Sequence, residues 1–307
     1  MKPFFSVVIS VYNKAEYIKE TINSVLNQSF EHFELIVIND GSIDASEQII
    51  NTYKDKRLRL ISTANHGVSK ARNTGIKEAL SNYIALLDGD DTWDIDYLQS
   101  MNDAIGRFPD IKIFTSAIAQ KYENKIAPVI YSFKQNELYK IHNYFEASQK
   151  YSLLTSSSIV FDKSILSKTN FFDTSLISGE DVDMWIRFGL FYDIVFINKQ
   201  LVLYNFNTSS LSNTTFDLDK KPKFDKYLNE EKENKYLKAF LDRNRYSLAI
   251  LSKLRNDKKN FSYYTSHLNL NNIKLRQKLL LKSPKWILKL LLKLKSLKGE
   301  KLYYPNN

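Results

Sequence analysis

The stretch "NYIALLDGDDTW", residues 82–93, ends an apolar run in three carboxylates, Asp88, Asp90 and Asp91, with one glycine between the first two. Like charges that close repel each other unless water or a cation sits among them. Two carboxylates one residue apart suit a hard divalent cation, Mg²⁺ or Mn²⁺, which prefers oxygen ligands and keeps waters and substrate phosphates in its remaining positions. The substrate such a site serves is a diphosphate, whose developing negative charge the metal offsets. Alone the triplet is a weak signal, because short acidic clusters are common on surfaces. A second constellation is "SGEDVDMWIRF", where Glu180 and Asp181 open a helical pattern after Ser178, the expected cap. Backbone N–H groups and the dipole favour carboxylates there, so capping accounts for them. Functionally, one carboxylate held at such a helix start is a general base for a hydroxyl.

The elements that must hold these groups alternate. "FFSVVISVY" reads as a buried strand, "AEYIKETINSVLNQ" as a helix with Tyr17, Ile18, Ile22, Val25 and Leu26 on one face, and "FELIVIND" as a second strand. Asp44 is the expected N-cap of "ASEQIINTYKD"; "LRLIS", "GVSKARNTGIKEAL" and "YIALLD" follow as strand, helix and strand. Four such alternations predict a parallel α/β sheet, whose ligands sit at the carboxyl ends of the strands. On that rule three polar clusters share one rim: Ser10 to Asn13, Asn39 to Ser42, and Asp88 to Asp91. Turn chemistry explains any one cluster; the three together point to a site. Asp40 is placed to accept a hydrogen bond from a base or ribose, Tyr12 to offer a ring face, and Arg72 to pair with phosphate or to form a surface salt bridge. Further on, "IDYLQSMNDAIGRF" is a helix, "IKIFTSAIAQKY" and "SSSIVFDKSIL" contain strands, and "IVFINKQLVLYNF" resembles a strand pair. After about residue 213 the composition shifts to Lys, Asn and Leu, as in a helical extension.

Composition narrows the function classes. The 307 residues are 43% hydrophobic and 25% charged, which suits a globular chain with a substantial core. No cysteine is present, which removes disulfides and thiolate metal sites, and the four His have no metal-ligand spacing. There is neither a G-x-x-x-x-G-K-[ST] nor a G-x-G-x-x-G, so a nucleotide must be held by strand-end residues. The initial apolar run is too short for a signal peptide or a span, and the expected location is the cytoplasm. A net charge of +10 calls for an anionic partner. The basic excess concentrates in "KWILKLLLKLKSLK", residues 285–298, where Lys285, Lys289 and Lys293 share one side and Trp286, Ile287, Leu290, Leu291, Leu294 and Leu297 form an apolar arc. That pattern fits a helix lying in a membrane interface on the cytoplasmic face, or a terminal helix packed on the body. Lysines mixed with leucines suit lipid better than nucleic acid, which is not an expected partner.

The ordered motifs "FSVVISVYN", "LIVINDGSID", "NHGVSKARNTG", "YIALLDGDD" and "GEDVDMWIR" closely resemble the family 2 glycosyltransferases, over roughly the first two-thirds of the chain. The resemblance implies a GT-A fold, a Rossmann-like central, mostly parallel sheet flanked by helices, over 1–213, with a helical extension over 214–307. It implies that Ser10, Tyr12, Asp40, Asn65 and Arg72 hold uridine and neighbouring donor groups. Asp88 then lies by the ribose or the metal shell, and Asp90 coordinates Mn²⁺ or Mg²⁺ on the diphosphate of a UDP-sugar. Asp181 is the implied base for an inverting displacement, and Glu180 orients donor or acceptor. The implied acceptor is a glycan or lipid-linked glycan of a bacterial lipo-oligosaccharide, capsule or similar polymer.

Two departures from the family pattern stand in the sequence. Ser10-Val11-Tyr12 lacks the proline usual before the tyrosine, a contact that is largely backbone. "LYNFNTSSLS" lacks a Tyr-Arg-x-His stretch, leaving Asn207 or Ser209 to Ser212 as substitutes for its phosphate or metal contacts. Competing classes are nucleotidyl transfer, which would bring a glycine-rich basic loop after the first strand, and a non-catalytic or degenerate transferase that binds nucleotide or membrane.

Overall fold

The computed structural model describes residues 2–122, 125–205 and 218–297. Strands β1 (Phe5–Val11), β2 (Phe33–Asp40), β3 (Leu58–Thr63) and β4 (Tyr83–Asp88) lie parallel in the order β3-β2-β1-β4. Helices α1 (Ile18–Leu26), α2 (Ser46–Asn51) and α3 (Val68–Glu78) make the connections. The near-continuous Val, Ile and Leu of β1 and β2 are explained by helices covering both faces. Successive side chains point to opposite faces. Val7, Ile9, Leu35 and Val37 pack with Ile18, Ile22 and Val25 of α1 on one side, and Val8, Ile36 and Ile38 pack with Ala71 and Ile76 of α3 on the other.

Beyond β4 the sheet becomes mixed. After the two-residue β5 (Thr92–Trp93) and helix α4 (Tyr97–Arg107) comes β6 (Ile113–Tyr122), with β7 (Lys125–Pro128) paired to it. β8 (Tyr139–His142) and the short helix α5 (Tyr144–Ala147) lead to β9 (Ile159–Asp162), which runs antiparallel between β4 and β6. The one-turn α6 (Leu166–Thr169) and α7 (Glu180–Gly189) precede β10 (Ile194–Asn205), parallel to β6. The expected strand pair in "IVFINKQLVLYNF" is therefore one long strand. Its register slips between Ile197 and Val202, where Asn198, Lys199 and Gln200 are exposed, and these polar residues imitate a turn.

The described residues from 218 to 297 form mainly helices, as the composition implied. α8 (Glu230–Glu233) and α9 (Lys235–Leu254) are followed by α10 (Lys258–Ser266), α11 (Leu275–Lys282) and α12 (Lys285–Leu297). Asn234 caps α9, accepting from Tyr236 N and Leu237 N at 3.0 Å. Leu237, Phe240 and Leu241 then share a core with Tyr144 and Phe145, so these helices pack on the sheet body through α5. The boundary drawn at 213 falls outside the described residues. Among the described side chains of α12 the buried one is Leu288, which did not figure in the apolar arc, while Trp286 of the arc is 66% exposed and Leu290 49%. The side chains of Lys293, Leu294, Leu297 and Lys298 lie outside the described part. Among the described residues no helix is long and apolar enough to cross a membrane.

Candidate active site

The carboxyl ends of β1, β2 and β4 open into a cavity of about 640 Å³, closed on the far side by the start of α7. All nine residues singled out in the sequence, from Ser10 and Tyr12 through Asp40, Asn65, Arg72, Asp88 and Asp90 to Glu180 and Asp181, line it. Strand alternation cannot by itself bring the last two there. They arrive because α7 packs Val182, Met184, Trp185 and Ile186 into the core, leaving its first turn at the rim.

The nucleoside end is a set of loops tied to one another. Asn13, at φ +53°, accepts from Ile43 N at 2.9 Å, and its own N–H donates to Ser42 Oγ at 3.0 Å. The expected cap Asp44 stands one residue outside the N-cap of α2, which is Ala45; its carboxylate accepts from Ser46 N at 2.9 Å in a local turn and from Ala15 N at 3.0 Å across to the β1 loop. Asp40, nearly fully buried, accepts from His66 N and Gly67 N, both at 2.9 Å. Its two oxygens thus order the loop that carries Asn65. Gly41, at φ +70°, allows that approach, since a Cβ there would stand 2.6 Å from Asn65 N. Tyr12 is 42% exposed, with its ring on the cavity wall.

Arg72 is the electrostatic centre. The alternative of a surface salt bridge is overturned by its burial: only 5% of it is exposed. Nη2 donates to Asp88 Oδ1 at 2.7 Å and Nη1 to Glu180 Oε1 at 3.2 Å, with the guanidinium over the Phe172 ring. Burial opposes its charge, and the Asp88 and Glu180 carboxylates more than compensate, holding the guanidinium protonated. Arg72 stands where it does because α3 lies directly on β1: a Cβ at Gly75 would be 2.3 Å from Val8 Cγ1.

The three aspartates after β4 separate. Asp88 faces Arg72, and Asp90 pairs with Lys14. Asp91 turns inward, accepting from Ser157 Oγ at 2.5 Å and Asn205 N at 2.9 Å. Burial, then the charges of Asp90 and Asp88, push its carboxyl well above the ordinary range. It is a structural clamp between the end of β4, the loop before β9 and the end of β10 rather than a rim ligand, and Asn205 Nδ2 adds a bond to Asp90 O at 2.5 Å. No group of three or more His, Asp or Glu side chains able to hold a metal occurs among the described residues. Asp88 and Asp90 nonetheless fit a cation that takes its other ligands from a diphosphate. Burial and the neighbouring Asp88 raise the Asp90 carboxyl in spite of Lys14, so added positive charge there relieves repulsion.

At the other end, Gly179 at φ +79° takes the N-cap position of α7, and the expected cap Ser178 instead accepts from Lys221 Nζ at 3.0 Å. The turn into α7 is left-handed at Gly179, a conformation glycine adopts without the steric cost of a Cβ. Asp181 Oδ1 accepts from Val182 N at 2.7 Å, and Oδ2 accepts from no described residue. Burial and the Glu180 charge, partly offset by Arg72, push the Asp181 carboxyl up to about 7. A carboxylate poised near neutrality can both take and release a proton. Two cavity residues, Lys14 and Lys221, carried no recognisable signal in the sequence. Lys14 directly follows the first motif and Lys221 lies in a segment without motif character, and only the fold turns both inward. Asn207 and Ser209 to Ser212 lie outside the described residues.

The sequence pattern known as glycosyl transferase family 2 matches residues 6–169, just over half of the chain. The chain belongs to glycosyl transferase family 2. Among its curated relatives, the uncharacterized glycosyltransferase EpsJ of Bacillus subtilis is 45% identical over 93 residues, 30% of this chain and 27% of that protein. Glycosyltransferase GlyA of Streptococcus pneumoniae is 26% identical over 218 residues, 67% of this chain and 31% of that protein. The matches thus span under a third of the length of these relatives. The putative teichuronic acid biosynthesis glycosyltransferase TuaG of B. subtilis is 39% identical over 101 residues, 32% of this chain and 40% of that protein. Staphylococcus aureus TarS superposes with a TM-score of 0.64 at 20% identity, covering 87% of this family 2 chain and 50% of TarS. A TarS 1–349 structure in complex with UDP-GlcNAc gives 0.57 at 18% identity, covering 90% and 78%. This likeness is one of fold, and it agrees with the GT-A architecture expected from the sequence.

Proposed function

We propose that this family 2 protein transfers a sugar from a UDP-sugar to a glycan hydroxyl in bacterial surface-polysaccharide synthesis, by one displacement with inversion. The observation that carries the proposal is the pairing, across one cavity, of a carboxylate poised near neutrality with an Asp88–Arg72–Glu180 ionic chain. In this reading 1–213 is the catalytic unit and 214–307 an extension that walls it. The ordered loops around Asp40 and Asn65, with Ser10 and Tyr12, receive the nucleoside. Asp90 and Asp88 are the residues that would hold Mn²⁺ or Mg²⁺ together with the donor diphosphate. When bound, the metal offsets the charge that gathers on the leaving diphosphate.

Arg72, fixed by two carboxylates, holds Asp88 and Glu180 in alignment. The acceptor oxygen forms its bond to the anomeric carbon as the bond to the diphosphate breaks, and the electron pair leaves with UDP. Asp181 Oδ2 takes the acceptor proton. The titrating carboxylate favours this over a purely binding protein, which has no use for a base at the acceptor end. UDP-GlcNAc bound to the TarS structure makes it a sensible first donor to try.

A membrane contact belongs to the same proposal. Between Asp257 and Glu300 the chain carries eleven Lys and Arg and no acidic residue; the other 33 basic and 34 acidic residues nearly cancel. Exposed Trp286 and Leu290 of α12 and Leu275 and Leu279 of α11 lie within that segment. This combination suits the anionic cytoplasmic face of a membrane, where a lipid-linked acceptor resides.

The test is a thermal-shift screen against nucleotide sugars, each with and without Mn²⁺. A metal-dependent rise with one UDP-sugar is expected, since a ligand stabilises the state that binds it. No response to any nucleotide would refute the proposal and leave a protein that binds glycan or membrane only.

A further inference from the structure

Lys14, Arg72 and Lys221 bring three cationic side chains to the cavity wall, and Lys221 comes from the chain beyond β10, on the side of Glu180 and Asp181. Lys14 and Arg72 each pair with a carboxylate of the site. Lys221 does not. It is 6% exposed, its Nζ donates to the neutral Ser178 Oγ at 3.0 Å, and among the described residues no carboxylate lies within ion-pair distance. Burial lowers its affinity for the proton, and the charges of Glu180 and Asp181 act in the opposite direction. A buried ammonium without a counter-ion is costly unless something negative visits it.

The segment that carries it is fixed. Tyr227 Oη donates to Asp183 Oδ1 at 2.5 Å, and Lys226 pairs with the same carboxylate. Asn260 of α10 donates to Asp219 Oδ1 at 3.1 Å. Pro222 presses on the turn before α7, where a Cβ at Gly179 would meet its Cγ at 2.9 Å. Lys221 is therefore held in place beside Ser178, at the start of α7 that carries Glu180 and Asp181.

We infer that Lys221 is an anion-binding residue of the acceptor subsite, and that the acceptor carries an acid group, phosphate or carboxylate, near the hydroxyl that reacts. The inference rests on the transferase reading above, with Asp181 marking the acceptor end. The full chain is saturated with UDP and Mn²⁺ to fill the donor site, then titrated by ligand-observed NMR with glycerol 3-phosphate, glucuronate and, as the neutral control, glycerol. One acid probe, which identifies the group, is expected to bind the wild type about tenfold or more tighter than Lys221→Met, with Lys221→Arg close to wild type and UDP affinity equal in all three. Lys221→Gln replaces the Met variant if the latter does not fold. Acid probes that bind neither protein, or both equally, overturn the inference. So does a Lys221→Met variant that loses UDP affinity instead, which would assign the ammonium to the donor diphosphate. Failure of the wild type to bind UDP has a different signature and refutes the transferase reading itself.

Discussion

Replacing Asp181 by Asn separates catalysis from stability. General-base catalysis contributes about 10²–10⁴-fold, so transfer should fall by that factor while UDP binding, which uses the other end of the cavity, stays unchanged. The same variant should be more stable than the wild type at pH 8. The wild-type carboxyl is pushed up to about 7 by burial and the Glu180 charge, whereas the unfolded chain titrates at an ordinary value. Because the folded value is raised, the fold binds a proton between about pH 4 and 7 that the unfolded chain has released, and stability falls as pH rises through that window. Above it the penalty is constant, with a ceiling of about 4 kcal/mol for a shift of this size. Asn carries no such penalty. Melting curves of both proteins from pH 5 to 8, read beside calorimetric UDP titrations and UDP release, decide the matter. A variant destabilised equally at both ends of the pH range, or one that loses UDP binding along with transfer, would refute the assignment of Asp181 as a desolvated base.

Activity of the wild type should rise about tenfold between pH 6 and 8, following ionisation of Asp181, and Arg72→Met should move that rise to higher pH because Arg72 lowers the Asp181 value. The same Arg72 substitution leaves Asp88 and Glu180 without their shared cation and should cost about 3–5 kcal/mol in denaturant unfolding. Asp90→Ala should abolish the Mn²⁺-dependent part of UDP stabilisation; an unchanged metal response removes Asp90 from the ion's shell. Gly75→Ala forces α3 off β1 against Val8 and should destabilise by about 1–3 kcal/mol, with loss of activity through displaced Arg72. Trp286→Gln should weaken co-sedimentation with anionic vesicles without altering UDP binding, and equal sedimentation of both proteins argues against a membrane role for α12.

Much of this was legible one segment at a time. Strict alternation of buried strands with amphipathic helices specifies the parallel half of the sheet, because period and polarity are local properties of the chain. The rule that ligands sit at strand ends then gathers Ser10, Tyr12, Asp40, Asp88 and Asp90 on one rim, and the ordered motifs add Asn65, Arg72, Glu180 and Asp181. Short or irregular elements were not legible: β5 has two residues, and the polar bulge of β10 looks like a turn.

Only the tertiary structure decided what each charge does. Asp88, Asp90 and Asp91 are equivalent in sequence, yet one faces Arg72, one pairs with Lys14 and one is buried against Ser157 and Asn205. The ionisation of Asp181 likewise depends on burial and on partners far away in the chain, such as Arg72. Lys221 reaches the cavity because Tyr227, Lys226 and Pro222 dock its segment on α7. Local pattern sets which residues form strands and helices, but electrostatic roles follow from distances across the fold and from exclusion of water, and neither is written in any single stretch of sequence.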